Sequence, residues 1–366
     1  MSNGNNTYEI LKENYLSFIN SCRVNDFEFS LTKNSDTSPF ALCFAIFGYN
    51  LILNKELPDK KKHYWSEIIK KNLDEKLSLC KKNNVNIIVN KPYLQLLTFS
   101  ISALKILDTI DSVNLEENTS FLENQNMNYL LNNIGALDGN PGSGNFAMFY
   151  FILYFYLTKN LKYDFQSELD SWVDLHLKKI NKYGFWGREK SMSHLQFQNG
   201  YHQYEIFSFL NIASNHFKKA AASVAELSDR SGHFAPYIGG GGCYDYDAIF
   251  LISSADNNID HSGLMSKTLE SIISEQNKDG GFAESLSVRP INMNYFVNFF
   301  IHIKESKGKA QRERFRQFIT LLRYKHNNIK THWSAKPRKW NESNLWDSWF
   351  RMMTIARIDI ERFQRI

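Results

Sequence analysis

The sequence predicts an all-α fold, an α/α toroid of about six to seven helical hairpins closed around a central polar and aromatic cavity. Three observations carry this expectation. Seven segments rich in Phe and Tyr open on small or turn-forming residues and are apolar nearly all round. A more amphipathic segment precedes each of them, with apolar residues at three and four spacing. Strand-like pieces such as Val85 to Val89 are short and isolated.

The aromatic-rich segments open near Ser38, Pro92, Ser143, Asn199, Gly242, Asn292 and Asn344. Their steps of about 43 to 56 residues suit a helical-pair repeat. The amphipathic partners are Tyr8 to Ile19, Tyr64 to Cys80, Leu122 to Ile134, Glu168 to Ile180, Lys219 to Leu227, Met265 to Gln276 and Arg312 to Tyr324. A helix with one wet face followed by a helix buried on most sides, repeated, gives two concentric layers. Proline interrupts none of the proposed helix interiors. One domain spanning 1–366 is expected.

Composition narrows the function classes. The 43 basic and 38 acidic residues leave a net charge of +5, too balanced for a nucleic-acid partner. Lys60, Lys61 and Lys62 read as solvated surface, whereas Lys336, Arg338 and Lys339 lie close to Trp333 and Trp340 and are candidates to face an anionic ligand. Cys22, Cys43, Cys80 and Cys243 form no CxxC pair and read as free thiols in a reducing compartment. The start of the chain shows no apolar leader, and the longest apolar run, Phe146 to Leu157, is short of the ~20 residues that span a bilayer. The expectation is a cytoplasmic protein without stable membrane insertion; the oligomeric state is left open.

Three connectors carry a Gly-aromatic element: Tyr183-Gly184-Phe185-Trp186-Gly187, Ser231-Gly232-His233-Phe234 and Asp279-Gly280-Gly281-Phe282, with Asp138-Gly139-Asn140 in the equivalent earlier place. Glycine turns the chain and the ring plugs the joint between repeats. The run Glu275-Gln276-Asn277-Lys278-Asp279-Gly280-Gly281-Phe282 resembles the Q-x-x-x-G-G-F repeat of the terpenoid cyclase and protein prenyltransferase β-subunit superfamily. The resemblance implies an α/α toroid and covers roughly Leu122 to Ile358.

Two branches of that superfamily make different demands. Prenyltransferase β-subunits carry D-x-C-Y with zinc on the Asp and Cys. Here Gly241-Gly242-Cys243-Tyr244 matches the Cys and Tyr only, and the late helix opening Asn344-Leu345-Trp346-Asp347 has no His, so neither metal nor cofactor is expected. Class II terpenoid cyclases carry D-x-D-D-T-A, whose middle Asp protonates an alkene or epoxide. Asp245-Tyr246-Asp247-Ala248 matches D-x-D and lacks the last Asp. The resemblance implies Asp247 as proton donor and Asp245 as its partner.

The residues themselves give a second route to the site. Starts of the inner helices should converge on one mouth, bringing together Tyr201, His202, Tyr204 and Glu205, then Tyr244, Asp245, Tyr246 and Asp247, then Asn292 and Asn294, then Trp346, Asp347 and Arg351. Two carboxyls in an aromatic pocket can split their pKa values and leave one protonated; the competing reading makes Asp245 an N-cap. The amides of Gly239-Gly240-Gly241-Gly242 can face an anion at the helix start or form a plain rim loop. His202 beside Tyr201 is either half of an acid–base pair or a satisfied structural histidine.

These readings favour an enzyme acting by acid-assisted cyclisation or transfer on an isoprenoid or other apolar small molecule. Asp247, Asp245 and His202 are its expected catalytic residues. Tyr201, Tyr204, Tyr244, Tyr246, Asn294, Trp346, Asp347 and Arg351 are its expected substrate contacts. A carbohydrate-active lyase, epimerase or hydrolase, and a non-catalytic binding toroid, are the alternatives.

Overall fold

The structure is a computed structural model describing residues 3–53, 57–188, 191–212, 215–255, 260–289, 291, 293–323 and 327–364. Its helices are α1 (Asn3–Ser21), α2 (Pro39–Leu53), α3 (Asp59–Lys82), α4 (Lys91–Ile106), α5 (Glu116–Thr119), α6 (Met127–Ile134), α7 (Ser143–Lys159) and α8 (Gln166–Lys179). They continue with α9 (His194–Phe209), α10 (Asn215–Ala225), α11 (Gly242–Ser254), α12 (Ser262–Ser274), α13 (Met293–Glu305), α14 (Gly308–Arg323), α15 (Leu345–Ile358) and α16 (Ile360–Gln364). Two-residue strands at Asn328–Ile329 and Arg338–Lys339 pair antiparallel, and Ile87–Val89 is a 3₁₀ turn rather than a strand.

The inner helices α2, α4, α7, α9, α11 and α15 pack in that order, and α15 closes back onto α2. Helices α1, α3, α6, α10 and α12 back α2, α4, α7, α11 and α15 respectively. Helix α8 lies over α7 and reaches α9 through Trp172, whose ring is 4.9 Å from Phe151 and 6.0 Å from Phe207. The inner helices bury nearly all their length because water reaches neither their outer face nor their flanks. This accounts for sequences such as Phe40 to Tyr49, buried at every position.

The sixth expected inner segment and the seventh expected amphipathic segment depart from the ring. Helix α13, read as an inner helix from its aromatic content, pairs with α14 and builds a separate small core in which Phe299 stacks on Phe318 at 3.8 Å. It carries Phe at several positions, yet Met293, Val297 and Phe300 are exposed, so its apolar surplus is not explained by enclosure. The α13–α14 hairpin and the paired strands interrupt the chain between α12 and α15.

The connectors repeat one geometry. The amide of Gly184 donates to Asn181 O at 3.0 Å, that of Gly232 to Asp229 O at 3.0 Å, and that of Gly280 to Asn277 O at 2.9 Å. All three glycines have φ of 84° to 87°. A Cβ at Gly232 would lie 2.8 Å from the Thr268 backbone nitrogen, and one at Gly280 would lie 2.0 Å from Asn14 O. Each turn therefore presses against the next outer helix, closely enough that only glycine fits. The ring five residues after the turn's start, Trp186, Phe234 or Phe282, is buried beneath it.

Candidate functional site

Helix α11 begins after Gly241, whose φ of 94° is left-handed. The glycine run before it does not present free amides to a ligand at two of its positions. Gly239 N donates to Asp229 Oδ2 at 2.9 Å, and Gly241 N donates to Glu284 O at 3.0 Å. The rim-loop reading of this run, rather than the anion cradle, fits those bonds.

Asp245 and Asp247 leave α11 on different sides, as a two-residue separation requires. Asp245 turns outward and is fully buried. It accepts from the Phe234 amide at 2.8 Å, from His233 Nδ1 at 2.7 Å, and from Arg351 Nη1. Glu275 closes the set, 3.0 Å from His233 Nε2 and 3.4 Å from Arg351 Nη2. Burial opposes a charge on His233, but Asp245 and then Glu275 outweigh it and push its pKa up to about 10. Burial likewise opposes charge on Glu275, yet Arg351 and His233 hold it below the usual carboxylate range. Two cations and two anions thus sit together beneath the ring wall, joining α11, α12, α15 and a connector.

Asp247 has a different environment. It is 4% exposed, and its Oδ1 has no hydrogen-bond partner. Burial first, then Glu205, then Asp245, push its pKa well above the usual carboxylate range. A carboxyl so placed favours its protonated form. Glu205 comes from α9, where it lies 3.6 Å from His202 Nδ1. The Tyr201 ring is 6.2 Å from Tyr246 and 5.6 Å from Phe250. Burial and then Glu205 hold the phenols of Tyr201 and Tyr246 protonated.

Accessible positions on the inner helices recur at three and four spacing: Met148, Ile152 and Phe155 on α7, Gln198, His202 and Glu205 on α9, Cys243 and Tyr246 on α11, Trp349 and Met353 on α15. The opposite faces are covered by the outer layer, so these stripes look into the ring. They combine apolar and aromatic surface with the His202–Glu205 pair and, one step round α11 from Cys243, Asp247. Helix α9 begins five residues earlier than the sequence suggests, so His202 and Glu205 lie part-way along the ring and not at its mouth.

Several expected substrate contacts sit elsewhere. Tyr204 is fully buried on the outward face of α9; its hydroxyl donates to Gly184 O, and its ring packs 4.8 Å from Phe217. Arg351 belongs to the outward ion cluster. Asn344 caps α15 by accepting from the Asp347 amide at 3.0 Å, and the Asp347 carboxylate accepts from Asn344 Nδ2 and from Arg338 Nη2, the latter at 3.1 Å. Asn294 is exposed on α13, outside the ring, and Asn292 lies outside the described residues. Tyr244 is half-buried, 6.3 Å from Phe197. Trp346 is 8% exposed among rings, 4.2 Å from Trp333 and 4.5 Å from Phe350. Arg338 does not await an anionic ligand: it is buried between Asp347 and Glu284, the latter at 3.2 Å. Glu284 is pushed up to about 7 by burial and then by Asp347. Lys336 pairs at the surface with Asp36 at 2.8 Å.

Glu275, Glu284 and Asp229 were not singled out by sequence reasoning. A signal for the first cluster exists in the connectors. The position after the turn glycine is Phe185, His233 or Gly281. A histidine in a slot otherwise filled by a hydrophobe or glycine marks the joint where charge is concentrated. A groove of about 590 Å³ between α3 and the 109–114 turn lies on the outer wall; its charges include Lys70 and Asp74, paired with each other.

No family model and no curated protein matches the chain. Solved structures do. A type II terpene cyclase, MstE from Scytonema, in complex with geranylgeranyl dihydroxybenzoate, is 9% identical over 99% of each chain with a TM-score of 0.50. A glycosidase in complex with glucose is also 9% identical, over 98% of this chain and 99% of that one, with a TM-score of 0.50. The ring of paired helices read from the Gly-aromatic connectors is therefore the α/α toroid fold, shared with terpene cyclases and glycosidases alike.

Proposed function

We propose that the chain is an enzyme that protonates an unsaturated apolar substrate, of isoprenoid type, held inside the ring. The observation that carries this reading is Asp247: a buried carboxyl, biased to its protonated form, with one oxygen unpartnered beside aromatic walls. Its proton adds to one alkene carbon and leaves a carbocation on the other. The faces of Tyr201, Tyr246 and Phe250 offer negative quadrupole density to that cation. Loss of a proton from the rearranged cation to the His202–Glu205 pair releases a neutral isomer of the substrate, and passage of that proton from the pair through solvent back to Asp247 restores the starting enzyme. Asp245, bonded to Arg351 and His233, adds its field to the shift on Asp247 without touching the substrate.

A geranylgeranyl-substituted aromatic acid is the probe suggested by the terpene cyclase likeness. Incubated with the full chain in D₂O, it should yield an isomeric product carrying one deuterium at the initiating carbon. Asp247→Asn should remove this product by a factor of ~10²–10⁴, the usual loss for a general acid. A variant with near-normal turnover would exclude Asp247 from the chemistry. The second reading, glycoside hydrolysis, is favoured by one feature, the two carboxyl groups of Asp247 and Glu205 on neighbouring helices. Release of free sugar from aryl glycosides, with no isomerised prenyl product, would establish it instead.

A further inference from the structure

Helices α13 and α14 stand apart from the ring and leave a continuous apolar face uncovered. On α13, Met293, Val297 and Phe300 are 75%, 53% and 57% exposed, at the four and three spacing of one helix face. On α14, Phe315 and Leu322 are 52% and 44% exposed, seven residues apart. Phe300 and Phe315 both lie against the buried Phe299–Phe318 stack, with centroids 6.4 Å from Phe318 and from Phe299 respectively. The two stripes are therefore one patch. Large apolar side chains are exposed singly on most proteins; a two-helix patch of them marks a surface that meets something.

The charges bordering the patch say what. Arg312, Arg316 and Arg323 flank the apolar α14 stripe on one side, about 60° to 100° round the helix from Phe315, and Lys304 ends the α13 stripe; all are exposed. Arg312 and Arg316 have no ion pair among the described residues. The acidic residues of the hairpin are already engaged: Glu313 holds the His194 amide at 2.7 Å, and Glu305 holds Arg230. What remains is aromatic and aliphatic surface rimmed by unneutralised cations. A second copy docking by two-fold symmetry would set the same arginines against one another. An anionic lipid leaflet satisfies both parts at once, burying the rings at the acyl boundary and placing the arginines among phosphates. No helix among the described residues is long and apolar enough to cross a membrane, so the contact is with one leaflet.

We infer that the α13–α14 hairpin is a monotopic docking device for anionic membrane surfaces. The full chain should co-sediment with phosphatidylcholine vesicles containing phosphatidylglycerol and much less with phosphatidylcholine alone, and added salt should weaken the binding. Phe300→Ser with Phe315→Ser should lower the partition coefficient roughly tenfold or more, and Arg312→Glu with Arg316→Glu should abolish the preference for anionic lipid. Both pairs of changes are on the surface, so circular dichroism and the melting temperature should stay near those of the parent. Failure to bind anionic vesicles, or binding that Phe300→Ser with Phe315→Ser leaves unchanged, overturns the inference. So does a dimer in sedimentation velocity that the same two changes dissolve, or retention on polyglutamate resin without vesicle binding. None of these outcomes depends on Asp247.

Discussion

Asp245 and Asp247 are chemically identical and two residues apart, and their surroundings separate them completely. Asp245 meets two cations and a backbone amide, whereas Asp247 meets two carboxyl groups and no donor at Oδ1. The first is expected to carry stability and the second reactivity. Asp245→Ala should cost about 3–5 kcal/mol in urea denaturation, because it strands Arg351 and His233 in the interior. Asp247→Asn should change stability by less than ~2 kcal/mol. Infrared difference spectra at neutral pH should contain a protonated carboxyl band that Asp247→Asn removes; persistence of the band would assign that proton to another group. The histidines set the pH profile. His233, raised from 6.5 to about 10, contributes stability that is complete below pH 6.5 and lost as pH rises toward 10. His302 and His332, lowered to about 4 by burial and then by Arg314 and Lys91 respectively, act in the opposite sense. The unfolded chain takes up their protons first, so stability falls as pH drops from 6.5 toward 4. The urea midpoint should therefore fall as pH rises from 6.5 toward 10, and a midpoint still rising at pH 9 would contradict the His233 assignment.

At the scale of elements, the connectors and the helix contacts decide what can change. Gly280 has φ of 87°, and a Cβ there would sit 2.0 Å from a backbone carbonyl oxygen of α1. Gly280→Ala should destabilise by about 1–3 kcal/mol or more, combining strain with overpacking of backbone against backbone. Gly263, on α12 with nothing within 4 Å of its missing Cβ, is the control. Gly263→Ala should be neutral or stabilise by up to about 1 kcal/mol through helix propensity. Equal effects at the two positions in thermal melts would remove the close approach as the reason for glycine. The hairpin α13–α14 is tied to the ring by polar contacts, Glu313 to the His194 amide and Arg314 to Leu227 O, while Arg314 also braces the hairpin internally through His302 and Ser306. That attachment holds it in place while leaving its outer face bare.

The whole molecule is a closed ring, so its last inner helix supports its first. Helix α15 packs between α11 and α2, and Trp346 lies 5.0 Å from the Phe44 ring of α2. Removing residues 345–366 should expose the aromatic wall and abolish a cooperative thermal transition, whereas an open solenoid would lose only its end. A sharp, near-parental transition in the truncated chain would mean that the ring does not depend on closure. Enclosure also governs the thiols. Cys22, Cys43 and Cys80 are buried, and burial pushes the first two up to about 12. The native protein should react with Ellman's reagent at Cys243 at most, and at all four thiols once denatured.

The sequence by itself determined the helical repeat, the two layers and the glycine turns. Each of those follows from local constraints: apolar periodicity along one helix, and a turn that only glycine can make. It also placed Asp247 among tyrosines, because neighbours one turn away on α11 are neighbours in sequence. Only the tertiary structure decided which of the two aspartates looks into the ring. The rotation of α11 is fixed by its packing against α15, α10 and α9, contacts that its own sequence does not show. The same holds for Arg351 and Tyr204, polar groups on inner helices that turned out to face outward, where Asp245 and a connector carbonyl receive them. Aromatic content could not separate α13 from a true inner helix, since composition reports how apolar a helix is and not what covers it. The ring closes without it because α15 reaches α2, a contact between segments some 300 residues apart that no local pattern encodes.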